Sequence, residues 1–214
     1  MSLIEFFLSS YNEVLKNLIR HVELVGISIL LGILISIPLG IFLTRHKRMA
    51  GLVLALAGTI QTIPGLVMLG FALILIGIGM LPAIAVLTLY AILPILRNTY
   101  TGITEVDKSY TEASRGIGMT NMQTLFKVEL PIALPTIITG IRLSTVYIVS
   151  WATLAGLIGA GGLGDLIWTG LSTYNTNYIL AGAIPSAILA LILNGLIGLL
   201  EKILTPRGLR GSRV

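Results

Sequence analysis

The chain has 214 residues, of which 55% are hydrophobic and 11% charged, with a formal net charge of +5 and a mean hydropathy of +0.97. A soluble domain carries roughly 25% charged residues, so a water-soluble globule is excluded and an all-α polytopic membrane protein is expected. The basic residues lie in short segments between apolar runs rather than on one face or arm, which speaks against a nucleic-acid partner, and the absence of cysteine excludes disulfide and thiol chemistry.

The first residues, MSLIEFFLSS, lack a basic n-region and carry Glu5, so no cleavable signal peptide is expected. Leu3, Phe7, Tyr11, Val14, Leu15, Leu18 and Val22 recur at helical spacing. Glu5, Asn12, Glu13, Lys16 and Arg20 interrupt them too often for a span. Residues 1–21 are therefore read as an amphipathic helix at the membrane interface, the alternative being the ragged start of the first span. From Val22 to Thr44 only Glu23 is charged, and that length crosses a ~30 Å hydrocarbon core. Gly32, Ser36 and Gly40 are four apart, a small-residue stripe suited to close helix contact, and Pro38 can kink the helix. Arg45-His46-Lys47-Arg48 forms a basic knot expected in the cytoplasm.

No charge occurs from Met49 to Leu96, an interval that holds two spans. Gly77-Ile78-Gly79-Met80-Leu81-Pro82 is the turn between them. The first of the two contains Gln61-Thr62-Ile63-Pro64-Gly65. Pro64 removes a backbone donor, and Gln61 and Thr62 place polar groups at membrane depth. Two readings stand: a break that lines a translocation path, or a kink satisfied by neighbouring helices. The third span runs from about Ala83 to Thr104.

The longest polar interval follows, an elbow within residues 105–135. Ser109-Tyr110-Thr111-Glu112 and Thr120-Asn121-Met122-Gln123 each have the spacing of a capping box. Gly116-Ile117-Gly118 between them permits the backbone to stop one helix and turn. Pro131 and Pro135 are taken to end the second short helix and to start the next span. This helix–turn–helix carries Lys108, Arg115 and Lys127, and a partner outside the membrane is expected to grip it. The next apolar run reaches about Ile158 with Arg142 as its charge, its stem snorkelling. Ala152, Gly156 and Ala160 continue the small-residue spacing. A Gly-rich loop with Asp165 leads through Trp168, Tyr174 and Tyr178, an interfacial aromatic belt. A last span covers about Ile179 to Leu200. The segment 205–214 is a basic tail containing Arg207, Arg210 and Arg213, with Lys202 just before it. Five spans put the knot, the elbow and the tail on one side, so the N-terminus is expected outside and the C-terminus inside.

Several signals look chemical. Gly159-Ala160-Gly161-Gly162-Leu163-Gly164 fits G-x-G-x-x-G, but it follows a membrane helix and no acid lies ~20 residues on. It is read as tight backbone approach between subunits or a re-entrant turn. No P-loop sequence occurs, so no cofactor is expected on this chain. His21 and His46 lie far apart in charged segments and are read as solvated rather than as metal ligands. No nucleophile–base arrangement suggests an enzyme.

Glu112-Ala113-Ser114, three residues, Gly118, nine residues, then Val128-Glu129-Leu130-Pro131 resembles the signature of ABC importer permeases, E-A-A, three residues, G, nine residues, I-x-L-P. Ser114 replaces Ala and Val128 replaces Ile. Thr59-Ile60-Gln61-Thr62-Ile63-Pro64, the run from Leu93-Pro94-Ile95-Leu96-Arg97 through Asn98-Thr99-Tyr100-Thr101-Gly102-Ile103, and Leu157-Ile158 through Asp165 resemble the osmoprotectant permeases, which import glycine betaine, choline or carnitine. The methionine-importer permeases are a similar five-span group and the alternative. The resemblance implies a type I permease fold over residues 22–204, working as a pair of copies or paralogues in the cell membrane. An ATPase subunit would use the ATP beneath the pair, and an extracytoplasmic binding protein would deliver substrate. It also implies that Glu112, Ala113, Ser114, Gly118, Val128, Leu130 and Pro131 belong to the ATPase contact, although Glu112 alone is explained by a helix cap. For a quaternary ammonium substrate, aromatic faces supply cation–π attraction. Tyr90, Tyr147 and Trp151, with Gln61, Thr62 and Pro64, are the candidates to line the path, packing being the other role open to the aromatics. A self-sufficient channel or secondary carrier, and a scaffold without transport, are the other classes to be tested.

Overall fold

In the computed structural model, residues 3–205 are described and all their regular structure is helical. Most of the expected tail, with Arg207, Arg210 and Arg213, lies outside the described residues. The helices are α1 (Leu3–Ser9), α2 (Tyr11–Arg45), α3 (Lys47–Thr62), α4 (Gly65–Ile76), α5 (Met80–Thr104), α6 (Lys108–Gly116), α7 (Asn121–Thr124), α8 (Leu130–Ala152), α9 (Leu163–Ser172) and α10 (Thr176–Leu204).

The first departure from expectation is α2. Its 35 residues make a helix about 52 Å long, well beyond a ~30 Å core. The polar residues within 12–23 end the apolar run, but no Gly or Pro there ends the helix before Gly26, so residues 11–21 and the first expected span form one continuous helix. This end is also anchored in protein. Phe6 and Val14 are buried with Leu163, Leu166 and Ala181, and the Phe6 ring meets Tyr178 edge-on at 4.8 Å. Of the expected aromatic belt, only Tyr174 stands free, 94% exposed. Trp168 turns inward and donates from Nε1 to the Thr153 carbonyl.

The bundle centre is α2, α5 and α8. Gly32 abuts Ala91, and Gly40 abuts Thr99. The Ser36 hydroxyl donates to the Ile92 carbonyl at 3.1 Å. The small-residue stripe therefore does what its spacing predicts: it lets α2 and α5 approach closely. On the other side of α5, Gly140 of α8 faces Asn98, and the Ser144 hydroxyl donates to the Ala91 carbonyl. Leu24, Leu87, Ala91, Ile148 and Ala152 fill the core between them.

These contacts fix the topology. Residue numbers rise together along α2 and α5 (32 with 91, 40 with 99), so the two helices are parallel. The chain between them must recross. It does so as α3 plus α4, which bend by 92° at Ile63–Pro64. The expected turn closes this crossing, with Gly77 at φ +105° and Gly79 at φ +118°; the Gly79 N–H donates to the Ile158 carbonyl beyond α8. Helix α8 runs antiparallel to α5. Helix α10 returns along α8, its Asn194 and Glu201 reaching Arg142. Among the described residues, four long apolar helices and the bent pair α3–α4 give four to five candidate spans, a range that includes the five expected, and α2, α5 and α10 end on the elbow's side.

Candidate functional site

The elbow is a compact unit with its own caps. Helix α6 starts at Asp107, whose carboxylate accepts from the Ser109 N–H at 2.8 Å. The expected first capping box at Ser109–Glu112 does not form, because an Asx cap two residues earlier takes the donor and starts the helix sooner. Hydrogen bonds to Ser109 hold the Asp107 carboxyl below its ordinary value. The helix ends as predicted. Gly118 takes φ +82°, its N–H donates to Arg115 O, and Met119 N–H donates to Ser114 O. This is a Schellman closure, which requires the left-handed conformation that glycine adopts freely. The second capping box is present in full: Gln123 N–H donates to the Thr120 hydroxyl, and Thr120 N–H donates to the Gln123 side chain.

Beyond α7 the chain does not stop. A single π-turn, Leu125–Glu129, joins α7 to α8, with the Leu130 N–H reaching back to Leu125 O. Pro131 thus lies directly after the π-turn, at the second residue of α8, and Pro135 lies inside the helix. The expectation that the prolines separate a short helix from a span is corrected: the second arm of the elbow runs into α8 without a break in the helix.

The signature residues divide into two sets. Glu112, Ala113 and Gly118 are exposed, together with Arg115 and Lys127, so this face is open to a partner. Ser114 is buried. Its hydroxyl lies 3.0 Å from the Thr124 hydroxyl and 2.8 Å from the Thr111 carbonyl, so it pins α6 to α7. Val128, Leu130 and Pro131 are half-buried at the root of α8, where Leu130 packs against Ile103, Ala133 and Ile137. Glu129, an unspecified position in the signature, is buried and forms an ion pair with Arg45 at 2.5 Å. No spacing rule links residues 84 apart; the one available hint was an acid at the foot of a span with a basic knot at the foot of another.

The break at Ile63–Pro64 is the second candidate region. Ile63 N–H returns to Ile60 O, satisfying the carbonyl that Pro64 leaves without a donor. Val67 and Met68 donate to Pro64 O. Ile63 O would be left over, and the buried Tyr90 hydroxyl donates to it. The Tyr90 ring packs on Trp151 at 4.4 Å between centroids. Trp151 in turn fills the space beside Gly65, where an added Cβ would fall 1.5 Å from the indole. Tyr90 and Trp151 are therefore the frame of the break. Thr62 and Pro64 are exposed, Gln61 is half-buried, and Tyr147 is 47% exposed on α8. A small apolar groove of about 190 Å³ lies between α2, α3 and α5, lined by Leu39, Val53, Ile60 and Ile92 among others. None of the six expected path residues lines it.

Two side chains read one way in sequence behave otherwise. His21 is fully buried rather than solvated, its Nε2 3.1 Å from Val149 O. The Gly-rich loop closes over it, and an added Cβ on Gly162 would sit 3.1 Å from Nδ1. That loop makes its tight approaches within the chain: Gly164 is pressed on Thr153 O and Gly156 on Gly164 and Asp165. Burial raises the Asp165 carboxyl above its ordinary value. Arg142 does not simply snorkel. Its Nε donates to Asn194 Oδ1 at 2.6 Å, with Glu201 at 3.9 Å. Among the described residues no group of three or more His, Cys, Asp or Glu has metal-site geometry.

Residues 32–208 match the family described as "Binding-protein-dependent transport system inner membrane component". The chain is 45% identical over 208 residues to the choline transport system permease protein OpuBB of Bacillus subtilis, covering 97% of this chain and 96% of that protein. It is 45% identical over 212 residues to the carnitine transport permease protein OpuCB of Listeria monocytogenes, covering 99% and 97%. Among solved structures, an inward-facing form of the MetNI methionine ABC transporter is similar, with a TM-score of 0.81 at 24% identity, covering 90% of this chain and 96% of that one.

Proposed function

This chain belongs to the family of binding-protein-dependent transport system inner membrane components, and from that premise we propose that it is the membrane-spanning permease subunit of an ATP-driven importer of osmoprotectants: glycine betaine, carnitine or choline. The observation that carries this reading is 45% identity over nearly the whole length to permeases of choline and carnitine transport systems. The methionine transporter shares the fold at 24% identity, a weaker warrant for the alternative substrate. The protein is a multi-pass component of the cell membrane and a non-catalytic subunit. ATP is hydrolysed by a separate ATPase, and an extracytoplasmic binding protein delivers substrate. Two permeases, copies or paralogues, form the pathway.

The elbow faces the cytoplasm and sits in a groove of the ATPase, with Glu112, Ala113 and Gly118 at the contact. The C-terminus shares that side and the N-terminus lies outside. When ATP closes the ATPase pair, the elbows move together and rigid spans tilt, which gives alternating access. The exposed side of the α3–α4 break, with Thr62, Pro64 and Gln61, and Tyr147 on α8 are placed along the path. Tyr90 and Trp151 hold the break in shape.

Reconstitution in proteoliposomes tests this. The chain with its ATPase and binding protein is expected to accumulate at least one of the three osmolytes only when ATP is supplied, and the chain alone to hydrolyse none. Methionine uptake without osmolyte uptake would move it to the alternative substrate. Gradient-driven flux through the chain alone would replace the importer reading with a channel or carrier.

A further inference from the structure

The elbow is joined covalently to α5 through residues 105–107 and to α8 through the π-turn. Helix α2 has no such connection, yet it packs closely along α5 in the central bundle, and its last residue, Arg45, meets Glu129. The two partners differ in environment. The Glu129 side chain is 7% exposed and that of Arg45 44%. A carboxylate so buried is costly without its counter-charge, so the pair resists separation more than an exposed bridge would. Glu129 is also the last residue of the π-turn, a local irregularity at which helices bend. Its charge is therefore held at the point where elbow motion becomes span motion. Apolar contacts continue the link. Ile37 and Ile41, two turns and one turn before Arg45, pack in the same cluster as Leu130, Ala133 and Ile137.

We propose that Arg45–Glu129 is a coupling strut. It passes the displacement of the elbow to α2, so that α2, α5 and α8 move as one body when the ATPase closes. This inference rests on the importer reading and adds two positioning residues to it, neither among the specified positions of the elbow signature. Without the strut the elbow would still dock on the ATPase through its exposed face, and ATP would still be hydrolysed. The elbow would then move α8, which continues directly from the π-turn, without carrying α2 along.

The test uses Arg45→Gln, Glu129→Gln and the swap Arg45→Glu with Glu129→Arg, each assembled with the ATPase and binding protein in proteoliposomes. Two readouts are taken. The first is ATP hydrolysed per osmolyte accumulated. The second is an ATP-dependent distance within one protomer, between spin labels at Leu30→Cys on α2 and Leu143→Cys on α8, both exposed sites in a chain without native cysteine; labelled chain is diluted with unlabelled. ATP per osmolyte is expected to rise about fivefold or more in the single variants, the span of an ordinary coupling between sites. In the same variants ATP should alter the α2–α8 distance distribution, which stays fixed in the natural protein as the spans tilt together. The swap, which restores an opposite-charge pair, should reverse both. A single variant that keeps the natural ATP ratio and the fixed distance overturns the strut. So does a swap that remains as uncoupled as the single variants at equal assembly. Failure of the natural complex to take up any of the three osmolytes, with the distance still fixed in it and loosened by ATP in the single variants, removes the substrate reading and leaves the strut supported.

Discussion

The Tyr90 hydroxyl donates to the backbone carbonyl of Ile63, the last residue before the proline that breaks the third helix. In a continuous helix that carbonyl would accept from Val67, but the Val67 N–H turns to Pro64 O instead. A backbone group at membrane depth needs a protein or water partner, and a phenol from the adjacent span supplies it. Tyr90→Phe keeps the ring against Trp151 and removes only the donor. It is expected to lower stability by about 1–3 kcal/mol, the cost of an unsatisfied buried acceptor, read as a lower Tm of the purified protein in detergent. An unchanged Tm would mean that Ile63 O finds another donor.

Gly65 and Trp151 make a complementary case. The indole occupies the volume that a side chain at 65 would need. Gly65→Ala should therefore displace Trp151 and destabilise by about 1–3 kcal/mol, the range for overpacked sites. Trp151→Leu opens the space, so the double variant should be more stable than the sum of the two losses. Simple additivity in thermal unfolding would count against the clash.

Much of this was legible in the sequence, and the failures have physical causes. The crossings followed from the length of uncharged runs, and the stripe Gly32-Ser36-Gly40 from its spacing, because both depend on local periodicity alone. The Gly118 turn and the Thr120 cap were legible because each is a short-range hydrogen-bond pattern. What escaped were partnerships made across the fold. His21 looked solvated because its sequence neighbours are charged, but Val149 and Gly162 bury it. Tyr90 and Trp151 stood open to a path role or to packing because aromatic side chains serve both, and no local pattern shows that Tyr90 meets the Ile63 carbonyl or that Trp151 meets Gly65. Pro131 looked like a helix end because a π-turn, which absorbs it, has no sequence signature.

Ser114 stands where the family signature has alanine, and its hydroxyl is the polar tie between α6 and α7 through Thr124. Ser114→Ala restores the common residue but loses that bond, worth about 1 kcal/mol. The elbow should then open more often, and amide exchange across 108–124 should accelerate about fivefold. Exchange at the natural rate would show that the Schellman closure and the Thr120 cap hold the elbow unaided.

Asp165 gives a pH signature outside the spans. Burial raises its carboxyl above the ordinary value of 3.8, so over that interval the folded state binds more protons than the unfolded one. By linkage, this group favours folding fully below about pH 3.8, and the contribution is lost as pH rises through the raised folded value. Asp165→Asn removes the titration. The difference in Tm between the natural protein and the variant should therefore shift in the variant's favour as pH rises from 3.8, then level off. A difference independent of pH would mean that the carboxyl is not desolvated in the folded protein.

Gly118 separates backbone from contact at the elbow. It is exposed with φ +82°, and nothing lies within 4 Å of an added Cβ. A side chain there meets no atom of this chain, so the intrinsic cost is the left-handed backbone, roughly 1–2 kcal/mol for most residues and less for Asn or Asp. Gly118→Asp should therefore reach the membrane in normal amount with the elbow folded. The proposed ATPase contact is different, because there a bulky charged side chain would stand where the groove meets bare backbone. Osmolyte uptake by Gly118→Asp should fall at least tenfold, equivalent to a loss of about 1.4 kcal/mol at that contact, with expression unchanged. Gly118→Asn shares the backbone tolerance and lacks the charge, so it reports size alone and should retain intermediate uptake. Full uptake in Gly118→Asp at normal expression would remove the elbow's exposed face from the ATPase contact. Equal losses in both variants would assign the effect to size rather than charge.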